Sequence, residues 1–269
     1  MSPVPDEKSL SKVDKALKLL KNNPPEAGLD FQMPYFQFLE LDETDDKSYP
    51  LLSYNNVTET VTVLTVPRDL HEVAASEIRY QIMKSIDEYL SHHSPERIDS
   101  IVDVGSSDVG GSGGGYEHSV KQADGLFKYI DGGAGLVTVV FKVGLCQNYD
   151  SLLANKDVWI QGCHSKACVL ICLNESPRFR DPTDPFENIG DIRYRDHVWA
   201  GGVTEAFIEV WRADSHVKFP LIEDRRLHHN LPKTLGLHVS EFFQDDARLK
   251  TGMIAMAEER FVDFITRQL

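Results

Sequence analysis

An acid and a lysine on two successive apolar segments are the residues of this chain that could do chemistry together. Asp124 begins the first segment, 124–129, and Lys142 is the single charge in the second, 136–145, which is rich in β-branched residues. Enzymes that hydrolyse phosphodiesters hold Mg²⁺ or Mn²⁺ between carboxylates on adjacent strands and use a lysine to orient or activate water. Asp124 and Lys142 are therefore candidate catalytic residues, and Asp124 is also a candidate metal ligand.

Three further polar residues could complete such a site. Glu77 lies on a predicted helix that would cover the sheet, Gln147 stands just past the second apolar segment, and Glu117 could act as another metal ligand. The alternative interpretation is structural: the aspartate ends a turn before a glycine, and the lysine only pairs with it. Spacing alone leaves both interpretations open.

Two other motifs favour structure over chemistry. The glycine-rich segment, 105–115, lacks the Gly-Lys-Ser/Thr ending of a phosphate-binding loop and favours a flexible hairpin. Cys163, Cys168 and Cys172 lack the paired C-x-x-C spacing of a zinc site, and the last two lie in an apolar run, which is typical of buried small residues. An enzyme of other chemistry, with the glycine-rich segment covering a substrate, stays open, although no cofactor fingerprint supports it.

Composition limits the classes of partner and the compartment. The chain has 269 residues and a formal net charge of −14, so the molecule as a whole repels polyanions. A nucleic acid could still bind through a local groove, and a protein partner is also open. Four cysteines do not make a disulfide framework, and no apolar run reaches the ~18 residues of a membrane span. We therefore expect a cytoplasmic or nuclear protein with no membrane partner.

Hydrophobic periodicity predicts an α/β (α+β) fold with a central mixed sheet flanked by helices. The predicted strands are 57–64, 98–104, 124–129, 137–145, 167–173 and 204–212. The predicted helices are 9–21, 70–90, 151–160 and 245–268. The aromatic-rich segment 31–41 is expected to be extended, and the proline- and charge-rich segment 177–191 is expected to be exposed.

A single domain, 31–245, is predicted because the chain has no internal repeat and no obvious second hydrophobic core. Residues 1–30 would form an N-terminal helix and a linker. Residues 246–269 would form a C-terminal helix that packs on the domain or contributes to a homodimer, since amphipathic terminal helices suit either role.

Several segments together resemble a fungal group within the PD-(D/E)XK nuclease superfamily, whose domains are related to restriction endonucleases. The central likeness lies in KQADGLF (121–127), LVTVVFKVG (136–144) and QNYDSLL (147–153), followed by Trp159. Weaker likenesses are FLEL (38–41), LHEV (70–73), EVWR (209–212) and LPKTLGL (231–237). The resemblance covers most of residues 31–245 and implies a restriction-endonuclease-like core.

The resemblance also implies roles for individual residues. Asp124 falls on the family's first metal-binding aspartate, Glu77 on an accessory helix acid, and Gln147 on the glutamine after the strand. Lys142 falls where the second catalytic acid belongs, and Gly144 falls where many members carry the lysine. Replacing that acid by a lysine changes the charge beside a divalent cation by two units.

This departure favours one function and leaves a second as the alternative. In the first, the protein is degenerate at the metal site and acts as a binding or regulatory scaffold without a cofactor. In the second, it is an active Mg²⁺- or Mn²⁺-dependent nuclease with rearranged ligands, such as Asp124, Glu77 and Glu117, and Lys142 orients the water. The sequence therefore leaves open whether the protein is an enzyme.

Overall fold

A computed structural model of the protein describes residues 29–44, 51–64, 69–130, 135–145, 147–176, 192–194, 197–200, 202–244 and 252–255. The α-helices are α1 Tyr35–Thr44, α2 Asp69–His93 and α3 Tyr149–Asp157. A π-helical turn, Val158–Gly162, continues α3, and 3-10 turns lie at Pro95–Ser100 and Val239–Phe242. The strands are β1 Leu29–Gln32, β2 Leu51–Asn55, β3 Thr60–Leu64, β4 Ile101–Asp103, β5 Ser107–Gly110, β6 Val120–Ala123, β7 Gly125–Tyr129, β8 Leu136–Leu145, β9 Ala167–Glu175, β10 Ile192–Tyr194, β11 His197–Ala200, β12 Val203–Trp211, β13 His216–Glu223, β14 Arg226–Leu227, β15 Thr234–His238 and β16 Met253–Ala255.

Two large sheets organise these strands. The larger has seven strands in the order β14-β13-β12-β9-β8-β7-β4, and the smaller has five in the order β1-β3-β2-β6-β5. Strands β8 and β9 run parallel and the other neighbours in the seven-stranded sheet run antiparallel, so that sheet is mixed. The predicted α+β fold with a central mixed sheet flanked by helices is confirmed.

Strand β8 is an interior strand of the seven-stranded sheet, between β9 and β7, and is buried on both faces from Thr138 to Leu145. Its β-branched residues suit an extended, fully covered strand, and successive side chains point to opposite faces. Val139, Phe141 and Val143 join the core on the face covered by α2, whose Ile78 and Ile82 are fully buried. Val140 and Lys142 alternate with these residues and therefore point to the opposite face, which α3 covers.

Helix α3 can approach the sheet closely because of a glycine on β8. A Cβ atom built at Gly144 would lie 2.5 Å from Leu152 Cδ1, which is far closer than two carbon atoms tolerate. Leu152 is buried against this face with Trp159 and Leu170. Gly144 therefore fixes the position of α3 next to the strand that carries Lys142.

Most of the central elements agree with the sequence-based predictions. Helix α2 matches the helix predicted at 70–90, and β7, β8, β9 and β12 match predicted strands to within a few residues. The glycine-rich segment contains β5, which pairs with β6 as a hairpin. The predicted N-terminal helix at 9–21 and the segment 177–191 lie outside the described residues.

Two predicted strands begin later than expected, because 57–59 lie in a turn before β3 and 98–100 lie in the 3-10 turn before β4. Two other predictions were wrong. Residues 35–41, expected to be extended, lie in α1, because an aromatic-rich segment also has the apolar residues that a helix needs to pack: Phe38 is buried against Tyr54. The helix predicted at 245–268 is contradicted at Met253–Ala255, which form β16 and pair antiparallel with β15. Pairing with a neighbouring strand outweighs the helical periodicity there.

In the part of the chain that the structure describes, no helix combines the length and the apolar character that a membrane-spanning helix needs.

Candidate functional site

Asp124 is the single residue between two strands of different sheets. Strand β6 of the five-stranded sheet ends at Ala123, and β7 of the seven-stranded sheet begins at Gly125. The Asp124 backbone N–H donates to the Phe141 carbonyl at 3.0 Å, which fixes the residue beside β8. Its side chain is 7% exposed, so the carboxylate needs partners inside the protein.

Lys142 provides the first of those partners. Its Nζ donates to Asp124 Oδ1 at 2.8 Å, and the lysine side chain is only 6% exposed. A lysine and an aspartate that are both desolvated make a short, charge-assisted hydrogen bond. The two residues that the sequence singled out are therefore in direct contact.

The second carboxylate oxygen of Asp124 is also occupied. The Val143 backbone N–H donates to Oδ2 at 2.7 Å, and His71 Nε2 lies 3.1 Å from the same oxygen. An ionised carboxylate is only an acceptor, so the histidine must carry its proton on Nε2. His71 belongs to the first turns of α2, and its Nδ1 lies 3.2 Å from Glu72 Oε1. Groups from β8 and α2 thus converge on one carboxylate.

These contacts determine the ionisation of Asp124. Burial by itself would raise the pKa of the carboxyl group. The charge of Lys142 and the hydrogen bonds from His71 and Lys142 oppose burial and lower the pKa to about 2, from 3.8. Asp124 is therefore fully ionised at neutral pH and acts as the anion of an internal ion pair.

The other predicted site residues lie in different surroundings. Glu77 is half-buried on α2 and accepts a hydrogen bond from Nε2 of the buried Gln81 at 2.8 Å. Glu117 is exposed, and its Oε1 lies 3.4 Å from the Gly115 backbone N. Gln147 Nε2 lies 3.4 Å from Ser151 Oγ at the start of α3. Their proposed roles in catalysis or metal binding stay predictions.

The residues around Asp124 do not fit a divalent cation. Lys142 Nζ lies 2.8 Å from Oδ1, so an ammonium group already neutralises this carboxylate. Within the described ranges, no group of three or more His, Cys, Asp or Glu side chains is arranged to hold a metal ion. A metal would have to displace the ammonium group and break hydrogen bonds to Oδ2 without a second carboxylate to compensate.

Sequence reasoning gave no role to His71 or to the Val143 N–H. The only available signal was the position of His71 at the start of a predicted helix, where its ring can reach the end of a sheet. Which strand end the helix faces depends on how α2 packs, and periodicity does not encode that.

No protein-family model, no curated protein and no solved structure matches this chain.

Proposed function

We propose that this protein has a nuclease-like core in which an internal ammonium group takes the place of the metal ion, and that it acts by binding a partner. The observation that carries the proposal is the contact of Lys142 Nζ with Asp124 Oδ1 at 2.8 Å, with both side chains buried. The cation in this site is part of the chain.

The order of the elements supports the nuclease-like part of the proposal. Asp124 precedes β7, the antiparallel neighbour β8 carries Lys142, and α3 leads on to β9, which is parallel to β8. This is the layout of acid, buried strand and helix that the resemblance to the PD-(D/E)XK superfamily implies. The resemblance places a carboxylate where this chain has a lysine.

Electrostatics supports the loss of metal-dependent cleavage. Two unit charges ~4 Å apart interact by ~4 kcal/mol at an effective dielectric constant near 20. A glutamate at position 142 would attract a divalent cation, whereas Lys142 repels it and also neutralises Asp124. The site therefore disfavours the cation that hydrolysis of a phosphodiester would need.

The test is an isothermal titration of Mg²⁺ and of Mn²⁺ into three proteins: the wild type, Lys142→Glu and the matched control Lys128→Glu. Lys128 lies on the neighbouring strand β7, so the control changes the net charge equally. We expect no binding to the wild type or the control, and binding to Lys142→Glu. Circular dichroism checks that each variant is folded.

The competing function is an active nuclease with rearranged ligands. It predicts that the wild type already binds Mn²⁺, that Asp124→Ala removes the binding, and that the wild type cleaves DNA or RNA in the presence of the metal. Those results would overturn the proposal, even if Lys142→Glu failed to fold.

A further inference from the structure

A second buried acid lies on the same sheet face as Lys142. Glu209, on β12, pairs in register with Leu170 on β9, and Leu170 pairs in turn with Lys142 on β8. The Glu209 side chain is only 2% exposed. A carboxylate so deeply buried needs donors or a cation beside it.

Two donors occupy one of the Glu209 oxygens. Tyr149 OH donates to Oε2 at 2.7 Å, and Trp211 Nε1 donates to the same oxygen at 3.0 Å. Burial and the hydrogen bond to Glu209 raise the pKa of Tyr149, so the phenol stays neutral and keeps donating. The carboxylate is thereby held in one orientation, with Oε1 left for another partner.

That partner is the ammonium group of Lys218, which is held loosely. Lys218 Nζ lies 3.8 Å from Glu209 Oε1, which is longer than a hydrogen bond. It also lies 3.3 Å from the centroid of the Phe207 ring, over its face. The Lys218 side chain is 45% exposed, so it forms the outer cover of a carboxylate that is otherwise buried.

The surroundings of this ammonium group combine a carboxylate with aromatic rings. The Phe207 and Tyr149 rings meet edge to face, with centroids 6.0 Å apart. The Trp211 ring stacks on His216 and has Lys156 Nζ 4.7 Å from its centroid, so Trp211 contributes its indole N–H to Glu209 and not a free ring face. A cation over an aromatic face is attracted by the negative face of the ring, and more strongly when it is desolvated. Such a combination recognises organic ammonium groups.

We propose that Phe207, Glu209, Tyr149 and Trp211 form a binding site for an organic ammonium group, which Lys218 covers in the free protein. We call these four residues the acidic-aromatic site. Its ligand is either a free alkylammonium ion or the lysine side chain of a partner protein. The net charge of −14 attracts cationic ligands of both kinds.

This inference stands independently of the proposal for Asp124. The acidic-aromatic site contains neither Asp124 nor Lys142, and metal titration does not report on it. Either proposal can fail while the other holds.

The experiment measures whether an added ammonium ion can take the place of the lysine. n-Butylammonium is titrated calorimetrically into Lys218→Ala, into Lys218→Ala/Glu209→Gln, and into Lys233→Ala, which removes an exposed lysine elsewhere. We expect Lys218→Ala to bind roughly tenfold more tightly than Lys233→Ala, because the ammonium group of Lys218 no longer competes for Glu209 and the Phe207 ring. The double variant should lose the binding, and n-butanol should not bind any of the three.

The two sources of the ligand are separated by peptides. A short peptide with a central lysine is compared with the same peptide carrying norleucine, an uncharged residue of similar length. Tighter binding of the lysine peptide than of n-butylammonium identifies a partner protein as the source, and equal binding identifies a free amine.

A measurement on the wild type keeps the inference testable if Lys218→Ala does not fold. In ¹H–¹⁵N spectra, n-butylammonium should shift the indole signal of Trp211 and leave that of the fully buried Trp159 unchanged. If the Trp211 signal did not move, or if Lys218→Ala and Lys233→Ala bound n-butylammonium equally, Lys218 would be only a cross-strand partner of Glu209. Either result would overturn the inference.

Discussion

At the scale of single residues, Asp124 and Lys142 depend on each other. An ion pair inside a protein gains little net stability, but removing one partner leaves a buried charge without compensation. The Asp124→Asn variant keeps an oxygen to accept from the Val143 N–H but leaves Lys142 without its counter-charge. We expect it to lower the free energy of unfolding by about 3–5 kcal/mol.

The double variant Asp124→Asn/Lys142→Met is the control for that prediction. Because methionine fills much of the space of the lysine without a charge, most of the lost stability should return, to within about 2 kcal/mol of the wild type. Urea unfolding measures all three proteins. Equal losses in the single and double variants would mean that the charge of Lys142 is not compensated by Asp124.

The same carboxylate gives a dependence of stability on pH. The pKa of Asp124 is about 2 in the folded protein and 3.8 when unperturbed. A lowered pKa stabilises the native state above the unperturbed value, and this contribution disappears as the pH falls from about 4 to about 2. At roughly 1.4 kcal/mol per pKa unit, the loss is about 2 kcal/mol.

Urea unfolding across this pH range measures that contribution. We expect the wild type to lose about 2 kcal/mol more than Asp124→Asn/Lys142→Met, in which the titrating group is absent. Parallel curves for the two proteins would contradict the low pKa of Asp124.

The contact between Asp124 and Lys142 could be predicted from the sequence, whereas the role of His71 could not. Asp124 begins one predicted strand and Lys142 lies late in the next, so an antiparallel hairpin brings them side by side. The role of His71 depends on where the start of α2 lies relative to the sheet. That position is set by the packing of the whole helix. Sequence alone also gave no reason to place Phe207, Tyr149 and Trp211 around Glu209.

At the scale of elements, the glycine-rich segment is shaped by the π-helical turn after α3. The backbone N–H groups of Ser112 and Gly113 donate to the Gly162 carbonyl at 2.8 and 3.1 Å. Gly114 has φ +65°, and a Cβ built on it would lie 2.8 Å from the Gln161 carbonyl oxygen. This segment therefore packs against the turn, and its glycines make the close approach possible.

Alanine substitutions test that packing. Gly114→Ala combines a left-handed backbone with a clash against the backbone of the turn, and we expect it to lower the free energy of unfolding by about 2 kcal/mol. Gly110→Ala is the matched control, because the nearest atom to its Cβ would be 3.9 Å away. It should cost less than about 0.5 kcal/mol. Urea unfolding distinguishes the two, and similar losses would indicate that the turn moves to make room.

The elements that the sequence predicted well are those whose own residues decide their structure. Strand β8 is β-branched or apolar apart from Lys142 and Gly144, β9 is apolar up to Leu173, and α2 keeps one apolar face over its whole length. Strand β16 and helix α1 are decided by what they pack against, so periodicity misassigned both. The same reason explains why β13, which contains Pro220, was not predicted.

At the scale of the whole molecule, Asp124 joins the two large sheets. It is the only residue between β6 and β7, and its side chain bonds to β8 and to α2. Because both carboxylate oxygens bond to groups of β8 and α2, the end of β6 is held beside the seven-stranded sheet. The single domain predicted at 31–245 stays a prediction, and this junction suggests a way to test it.

We expect the five-stranded and seven-stranded sheets to unfold together. If they form one cooperative unit, amides of β3 in the five-stranded sheet and of β9 in the seven-stranded sheet should exchange with the same opening free energy, equal to that of global unfolding. Calorimetric and van't Hoff enthalpies should also agree.

Native-state hydrogen exchange at increasing denaturant concentrations measures these opening free energies. The edge strand β4 provides an internal control, because its amides should exchange by local fraying. Slow exchange in β9 combined with easier, separate opening of β3 would mean that the sheets are independent units and that Asp124 is a linker between domains.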